Sequence, residues 1–417
     1  MPPTVARCAA RLAVIAALMS PSAVQAQAQK PDSQPAPAIK ADSQPAPKPK
    51  SWTDRILVRG YIQVRYNQLY QTNPNLVCVQ WDPGLGGDPK FTLRRARLIV
   101  EGKPVDRVDT KMEVDLTQAV GSSVFILQLR DLFGDVSIDK QKNGFVRIGL
   151  AKIPFGYENL QSSAVRIPFD RDDALNSGAP GERDLGAWFI WAPAKIHREL
   201  KMLIDSSFKG AQDYGIISFG VYNGQGANRP ELNGNKHVVA RLAYPFALGH
   251  DQVLFAAVQG YTGIFVIPPE NRTPGVGGAN NFRDERVALS ALLVPRPFGL
   301  QAEWNWGKGP EYDNVLNDIT EQNLTGGYVM AFYRTFIKKK LIYPYVRAQY
   351  YSGGKKYELD ARSYLVKEIE FGAEILPLKA FEFTAAYMIS NRTQDDGIHP
   401  NNPQKGQTLR LQAQFVF

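Results

Sequence analysis

The sequence predicts an all-β fold, in the form of a transmembrane antiparallel β-barrel. First, apolar and polar residues alternate with a period of two from about residue 55 to the C-terminus. Second, 44% of the residues are hydrophobic, but no apolar run approaches the ~18 residues that indicate a transmembrane helix. Third, long and short connections take turns along the chain. A soluble sandwich has no reason to sort its connections in this way, whereas an outer-membrane barrel does.

The alternation gives each predicted strand one apolar and one polar face. In the first segment Ile56, Val58 and Ile62 share one face, while Arg59 and Arg65 share the other. A tilted strand needs about 9–11 residues to cross a membrane, and sixteen segments of roughly this length are predicted. They are 55–68, 91–102, 107–117, 126–139, 143–152, 185–191, 212–222, 235–244, 252–262, 283–294, 298–307, 325–337, 341–351, 366–376, 380–390 and 407–417.

The connections after odd-numbered segments are mostly long, and those after even-numbered segments are mostly short. The long ones are 69–90, 153–184, 263–282, 308–324, 352–365 and 391–406, and the short ones are 103–106, 140–142, 295–297, 338–340 and 377–379. This asymmetry is typical of outer loops and periplasmic turns. The join 192–211 breaks the rule, because it is too long for a turn and contains a strand-like stretch, 200–204. Either the count misses a hairpin there, or one periplasmic connection is enlarged.

The last segment predicts closure of the barrel. Leu409, Leu411 and Phe415 face lipid, while Arg410 and Gln412 face inward. An unpaired strand edge in lipid costs several kcal/mol per orphaned polar group, so the last strand must pair with the first. The chain ends on an aromatic residue of this alternating strand, which resembles the assembly signal of Gram-negative outer-membrane proteins.

The N-terminal residues predict export. Residues 1–26 have the pattern of a signal peptide, with Arg7 and Arg11 before the apolar run 12–19 and small residues at 24–26; a second possible cleavage site lies at 26–28. Residues 27–50 are Pro-rich and contain the near-repeat KPDSQPAP and KADSQPAP, so we expect a disordered periplasmic tail. Residues 51–417 form the predicted barrel, located in the outer membrane of a Gram-negative bacterium.

Composition argues against several other functions. The chain has 2 Cys and 4 His, so neither a disulfide framework nor a His-based metal centre is expected. No G-x-S-x-G or H-E-x-x-H motif occurs, and we expect neither an enzyme nor a bound cofactor. A formal net charge of +9 without long basic runs does not favour nucleic-acid binding. The cluster Asp170–Asp173 leaves two interpretations open, a divalent-cation site or an ion-paired loop.

The chain resembles the phosphate-selective porin O and P family. The resemblance is carried, in order, by FTLRRAR at 91–97 with Gly102, RIGLAKIPFGYE at 147–158, YNG at 222–224, ARL at 240–242, QAEW at 301–304, GGY at 326–328 and PYVR at 344–347. It implies a sixteen-stranded barrel, usually a homotrimer, in which the third outer loop, after the fifth strand, folds inward. The Pro-rich tail lies outside the resemblance.

Charged residues are expected in two parts of the lumen. If the third outer loop forms the constriction, its charged members include Arg166, Asp170, Arg171, Asp172, Asp173, Arg183 and Asp184. Acidic residues outnumber basic ones in this loop, whereas a phosphate filter needs clustered Arg and Lys, so the family label does not establish phosphate selectivity. On the strands, the predicted pore-lining basic residues are Arg59, Arg65, Arg95, Arg97, Arg147, Arg241, Arg347 and Arg410. The predicted pore-lining acidic residues include Glu113, Asp115, Glu368 and Glu370.

These residues predict an outer-membrane porin, a passive channel for small hydrophilic solutes with a mild preference for anions such as phosphate. Its expected partners are the lipid bilayer, two further copies of the chain, and small anionic or polar solutes. We expect Arg59, Arg65, Arg95 and Arg97 to attract anions, so that reversing the charges of Arg59 and Arg65 lowers anion-over-cation permeability. The alternatives are a soluble secreted all-β binding protein and a channel specific for one solute.

Overall fold

The computed structural model describes residues 52–70, 82, 89–118, 124–179, 181, 183–206, 208–210, 212–249 and 252–417. The predicted signal peptide and Pro-rich tail lie outside the described residues. Sixteen strands cross the barrel wall: β1 Ile56–Leu69, β2 Lys90–Val105, β3 Val108–Gln118, β4 Phe125–Ser137, β5 Gly144–Lys152, β6 Arg183–Trp191, β7 Ile217–Tyr222, β8 His237–Gly249, β9 Gln252–Val266, β10 Asn281–Leu293, β11 Phe298–Asp313, β12 Asp318–Tyr333, β13 Lys340–Gly354, β14 Ser363–Leu378, β15 Phe381–Asp395 and β16 Asn402–Val416. Within the described residues, three α-helices lie in the connections: α1 Tyr157–Leu160, α2 Asp173–Gly178 and α3 Ala194–Asp205.

The sheet closes on itself. Neighbouring strands pair antiparallel in chain order, and β1 also pairs with β16, with Tyr61 opposite Val416 and Leu69 opposite Thr408. Two shorter strand segments do not add to the wall: Thr335–Ile337 continues β12, and Gly277–Gly278 lies in an outer connection. The predicted sixteen-stranded antiparallel barrel is therefore confirmed.

The two faces of the wall differ in polarity, as the alternation predicts. Large apolar side chains such as Phe219, Leu289 and Phe371 remain about half exposed on the outer face. The inner face of β1 carries Gln63 and Arg65, both buried inside the barrel. This arrangement suits a wall that meets hydrocarbon outside and polar groups inside. In the described part of the chain, no helix is long and apolar enough to span a membrane.

Several predicted outer loops are shorter than expected. The predicted loop 308–324 is mostly strand, because β11 runs to Asp313 and β12 begins at Asp318. The strands around the predicted loops 352–365 and 391–406 are extended in the same way. Beyond the membrane, water solvates polar side chains on both faces of a strand, so they carry no free-energy penalty there. The backbone pairing between strands continues. The period-two pattern of apolar residues therefore ends before the strand does.

The join 192–211 is an enlarged periplasmic connection, and the strand-like stretch within it is helical. Its main element is α3, whose buried residues Ile196, Leu200 and Leu203 lie four and three positions apart, the spacing of one helix face. These side chains belong to the same apolar cluster as Leu292 and Phe332 of the wall. The helix is therefore fixed to the barrel by its own apolar face.

Candidate functional site

The connection between β5 and β6, residues 153–182, folds into the barrel; we call it the constriction loop. Its Tyr157 amide donates to Glu303 Oε2 of β11 at 2.5 Å, and Ser163 contacts the far wall through Tyr61 (2.8 Å between hydroxyl oxygens) and Gln63. The predicted constriction loop, 153–184, extends two residues too far, because Arg183 and Asp184 already pair with β5 as the first residues of β6. Polar inward side chains continue that strand, so no apolar alternation marks its start.

Apolar packing holds the constriction loop against one side of the lumen. Phe155 and Leu175 are buried in a cluster with Trp188, Tyr222 and Val239 from the inner faces of β6, β7 and β8. Alternation with the polar residues facing inward does not predict aromatic side chains on the lumen face. The period-two pattern therefore does not predict the apolar core that fills this side of the lumen.

Ion pairs hold the loop on the opposite side, where β16 meets β1. The Asp170 carboxylate accepts from Arg65 (3.0 Å) and Arg410 (2.6 Å), and both guanidinium groups also bind Asp82 (2.8 and 2.6 Å). The same two arginines lie over the Phe169 ring, 5.0 and 4.9 Å from its centroid. Burial alone would raise the pKa of Asp170, but Arg65 and Arg410 outweigh it and hold that pKa well below its ordinary value.

A second set of ion pairs lies on the side of β13, β14 and β15. Asp173 accepts from Lys355 (2.5 Å) and Arg392 (3.4 Å), and Arg347 donates to Glu158 at 2.8 Å. Asp172 instead caps α2, accepting from the Leu175 amide at 3.1 Å. Of the two interpretations of Asp170–Asp173, the structure favours the ion-paired loop, and among the described residues no group of His, Cys, Asp and Glu is arranged to hold a metal ion.

The predicted acidic residues of the wall are also paired. Glu113 and Asp115 both bind Arg97, at 2.8 and 2.9 Å, and Glu113 further contacts Arg183 at 3.3 Å. Glu368 binds Arg392. Glu370 accepts from the Tyr345 hydroxyl at 2.7 Å and lies 3.9 Å from Arg410.

Three further predicted basic residues are bound by groups outside the constriction loop. Arg59 is at the periplasmic rim, about half exposed and 2.6 Å from Glu101. Arg147 makes two contacts of 2.8 Å with Asp135. Arg241 donates to the Gly215 carbonyl at 3.2 Å. The structure therefore does not bring the predicted basic residues together as one uniform anion-attracting wall.

The constriction has a side rich in arginine, around Arg171. Burial and the neighbouring charges of Arg166, Arg95, Arg183 and Arg130 hold the pKa of Arg171 well below its ordinary value. Arg166 itself donates to the loop carbonyls of Pro168 and Phe169 at 3.2 and 3.0 Å. Arg95 donates to Gln63 at 2.8 Å and approaches Asp170 only to 4.0 Å.

The period-two pattern does not predict two members of this arginine-rich side, Arg94 and Arg130. In β2, Arg95 lies opposite Gln63 but Leu93 lies opposite Val64, so Arg94 is the extra residue of a bulge. Arg130 is the extra residue in β4, between Leu129 and Asp131. A bulge shifts the period-two pattern by one residue. A side chain that the pattern places on the outer face is thereby directed into the lumen. Arg94 thereby reaches Asp170 at 3.4 Å, and Arg130 donates to the Gly181 carbonyl at 2.9 Å.

On the periplasmic side of the loop, the inner faces of β3, β4 and β5 line an open cavity of about 690 Å³. Its lining carries both signs of charge, including Lys111, Asp131, Asp135 and Arg147. Tyr214, from the connection after α3, lines it too. The cavity reaches inward as far as Lys152, the last residue of β5 before the constriction loop.

The connection after α3 also contacts the wall. Lys209 binds Glu374 of β14 at 2.7 Å, and Phe208 lies between Arg296 and Arg334, 4.9 and 5.0 Å from its ring centroid. The Tyr157 hydroxyl of the constriction loop donates to the Gly210 carbonyl at 2.7 Å. The periplasmic connection and the constriction loop are thus in direct contact inside the barrel.

Comparison with solved structures gives porins of the same fold. The anion-selective porin from Comamonas acidovorans has a TM-score of 0.54 at 10% identity, with 87% of this chain and 99% of that chain covered. The trimer form of OmpT from Vibrio cholerae has a TM-score of 0.52 at 11% identity, with 87% and 99% covered. OmpF of Salmonella typhi, in complex with daunomycin, has a TM-score of 0.53 at 13% identity, with 87% and 97% covered. No curated protein matches the chain significantly.

Comparison with family models agrees with the resemblance seen in the sequence. The model described as phosphate-selective porin O and P matches residues 83–267 and 269–417, which covers nearly the whole barrel. The predicted family is confirmed, and its fold is that of a channel rather than an enzyme. The chain therefore belongs to the phosphate-selective porin O and P family and is an outer-membrane porin.

Proposed function

We propose that this porin is a passive diffusion channel for small hydrophilic solutes with a mild preference for anions. The observation that supports the preference is the grouping of arginines on one side of the constriction, where Arg171 lies near Arg166, Arg95, Arg183 and Arg130. Arg94 and Arg95 of β2 extend the same side of the constriction. A solute passing there meets more positive than negative charge, which favours anions.

The preference is mild because several arginines of the lumen are paired with carboxylates. Arg65 and Arg410 share Asp82 and Asp170, and Arg97 is paired with two carboxylates. A strongly selective phosphate filter would instead leave clustered donors to replace the hydration shell of the anion. Phosphate is therefore one of several small anions expected to pass.

The setting of the channel belongs to the same proposal. We expect residues 1–26 to be removed on export and residues 27–50 to remain as a periplasmic tail, with the barrel in the outer membrane of a Gram-negative bacterium. We expect three copies to associate, as the resemblance implies. One solved neighbour, OmpT of Vibrio cholerae, is described in a trimer form.

The reversal potential of a planar bilayer tests the anion preference. Replacing Arg171 by Gln removes the central positive charge, and we expect the anion-over-cation permeability ratio to fall by about two- to fivefold, since a change of 0.4–1 kcal/mol in the barrier corresponds to that factor. Arg283→Gln is the matched control, because Arg283 is exposed at the outer rim, where it pairs with Glu285 at 3.7 Å. A permeability ratio that Arg171→Gln leaves at the wild-type value would refute the proposal.

A channel for one solute remains the second candidate, favoured by the tight packing of the lumen at the level of the constriction loop, where Arg65, Arg183 and Arg410 are almost inaccessible to water. The same bilayers discriminate between the two. A general channel gives conductance that rises in proportion to phosphate or sugar phosphate concentration, whereas a specific one saturates with a single solute.

A further inference from the structure

The outer end of the barrel contains an aromatic cage around a lysine. Lys356, from the connection between β13 and β14, reaches across the lumen to the ends of β9 and β10. Its ammonium nitrogen lies 5.3, 5.1 and 4.9 Å from the ring centroids of Tyr261, Phe265 and Tyr357, and it binds the Asp284 carboxylate. Lys356 and Asp284 are almost completely buried. We call these three rings and the carboxylate the ammonium cage.

The carboxylate of the cage is held in place by its own partners. The Tyr261 hydroxyl donates to Asp284 Oδ1 at 3.0 Å, and His237 Nε2 lies 3.0 Å from Asp284 Oδ2. The His237 ring is clamped between Gly224 and Gly263, since a Cβ on either glycine would come within 2.3 Å of it. The cage is therefore a built feature of the wall, and only Lys356 and Tyr357 are supplied by the loop.

The chemistry of the cage matches one class of ligand. Aromatic faces attract an ammonium cation through their quadrupoles, most strongly where water is excluded. A buried carboxylate adds a charge-assisted hydrogen bond that only a cationic donor satisfies well. Arg286 and Arg229 lie nearby, but Arg286 donates to Ala174 and Ser177 of the constriction loop, and Arg229 lies over the Tyr357 ring at 5.2 Å. Lys356 is therefore the cation that the cage holds.

The loop that carries Lys356 also contacts the constriction loop. The preceding residue, Lys355, binds Asp173 at 2.5 Å and lies 4.1 Å from the Tyr364 ring centroid. Two adjacent lysines thus join the outer connection to the wall on one side and to the constriction loop on the other. Removal of Lys356 from the cage would release one of these two attachments.

We propose that the ammonium cage is a binding site for alkylammonium groups at the outer entrance, which this chain fills with its own Lys356. A solute that carries a primary amine competes with Lys356 for the three rings and Asp284, and its binding frees the loop from the β9–β10 wall. This site goes beyond the anion preference proposed above and does not depend on it.

Titration calorimetry with n-butylammonium chloride on the refolded chain in detergent tests the site. Lys356→Ala vacates the cage, so we expect saturable binding at least tenfold tighter than to the wild-type chain. Lys356→Met keeps the cage filled and is not expected to bind. Lys308→Ala removes a rim lysine outside the cage and should bind no more tightly than the wild-type chain. Adding Asp284→Asn to Lys356→Ala should abolish the binding.

Heat-modifiable migration on gels establishes that each variant is folded. A folded Lys356→Ala chain that does not bind butylammonium, or that binds it equally well without the Asp284 charge, overturns the proposal. If Lys356→Ala does not fold, the wild-type channel with butylammonium on its outer side decides the matter. A saturable change of conductance that Asp284→Asn removes supports the site, and its absence rejects it. Both measurements are independent of the anion-over-cation permeability ratio.

Discussion

At the scale of single residues, the period-two pattern predicts most inward side chains but fails at bulges. Arg95, Arg97 and Arg410 lie on the lumen side, where the alternation puts them, whereas Arg94 and Arg130 reach it only because one extra residue shifts the pattern. Nothing in the local sequence marks these bulges, because they depend on the register with the neighbouring strand. The pairing of charges also cannot be predicted from the local sequence. Asp82 and Arg410, for example, form an ion pair but lie far apart along the chain.

Gly60 makes a prediction at this scale, because it lies where the barrel closes. Its backbone exchanges hydrogen bonds of 2.8 and 3.0 Å with Phe417, and a Cβ there would lie 2.4 Å from the Arg97 carbonyl oxygen and 2.5 Å from the Phe417 ring. We expect Gly60→Val to destabilise the barrel by about 1–3 kcal/mol through overpacking. Urea unfolding followed by heat-modifiable migration measures the loss. Gly134→Val is the control, because a Cβ at Gly134 meets nothing within 4 Å; equal midpoints for both variants would contradict this reasoning.

At the scale of elements, all sixteen strands could be predicted, but α3 could not. The window 200–204 has the composition of a strand, and the helical spacing of Ile196, Leu200 and Leu203 emerges only over a longer stretch. The outer ends of β11 and β12 were missed for the opposite reason, because they continue as polar strands outside the membrane. Alternation of apolar residues predicts a strand only where one face of the strand contacts lipid, and it does not predict an element that is surrounded by water.

The attachment of α3 is expected to depend on pH. His197 lies 2.5 Å from Asp213 through Nδ1 and 3.3 Å from the Asn143 carbonyl through Nε2. The hydrogen bond to Asp213 raises the pKa of His197 against its partial burial. A histidine with a raised folded-state pKa stabilises fully below its unfolded pKa of about 6.5, and this stabilisation is lost as the pH rises through the folded value. The structure therefore holds α3 more firmly in mild acid than in mild alkali.

Hydrogen exchange of residues 194–205, corrected for its intrinsic dependence on pH, measures this effect. We expect stronger protection at pH 5.5 than at pH 8.5 in the wild-type chain, and no such difference in His197→Gln. His399→Gln is the matched control, since His399 is about half exposed in an outer connection beside Asp396. Protection that responds to pH equally in His197→Gln would show that another group governs the helix.

At the scale of the whole molecule, the barrel follows from the sequence, but the state of its lumen does not. Alternation specifies a closed wall with a polar interior, and the chain meets that requirement. Part of the interior is nevertheless filled, by an apolar core around Phe155 and Leu175 and by ion pairs around Asp170 and Asp173. These contacts join residues far apart in the chain, so only the folded barrel brings them together.

Asp170 is the place to test whether these ion pairs control the width of the channel. It accepts from Arg65, Arg410 and Arg94, and breaking a buried ion pair by removing one partner costs about 3–5 kcal/mol. The apolar core on the other side of the loop remains, so we expect Asp170→Asn to fold but to free the loop from β1 and β16. Arg65 and Arg410 still share Asp82, and Arg410 still lies near Glu370, but one carboxylate is lost, which makes this side of the lumen more positive. Single-channel conductance and the anion-over-cation permeability ratio should therefore both rise.

The control is Asp205→Asn, which removes an exposed carboxylate of α3 paired with Lys201 and should change neither quantity. If Asp170→Asn lowers the unfolding midpoint but leaves the conductance unchanged, the apolar core alone positions the loop, and the ion pairs stabilise the barrel without limiting the passage.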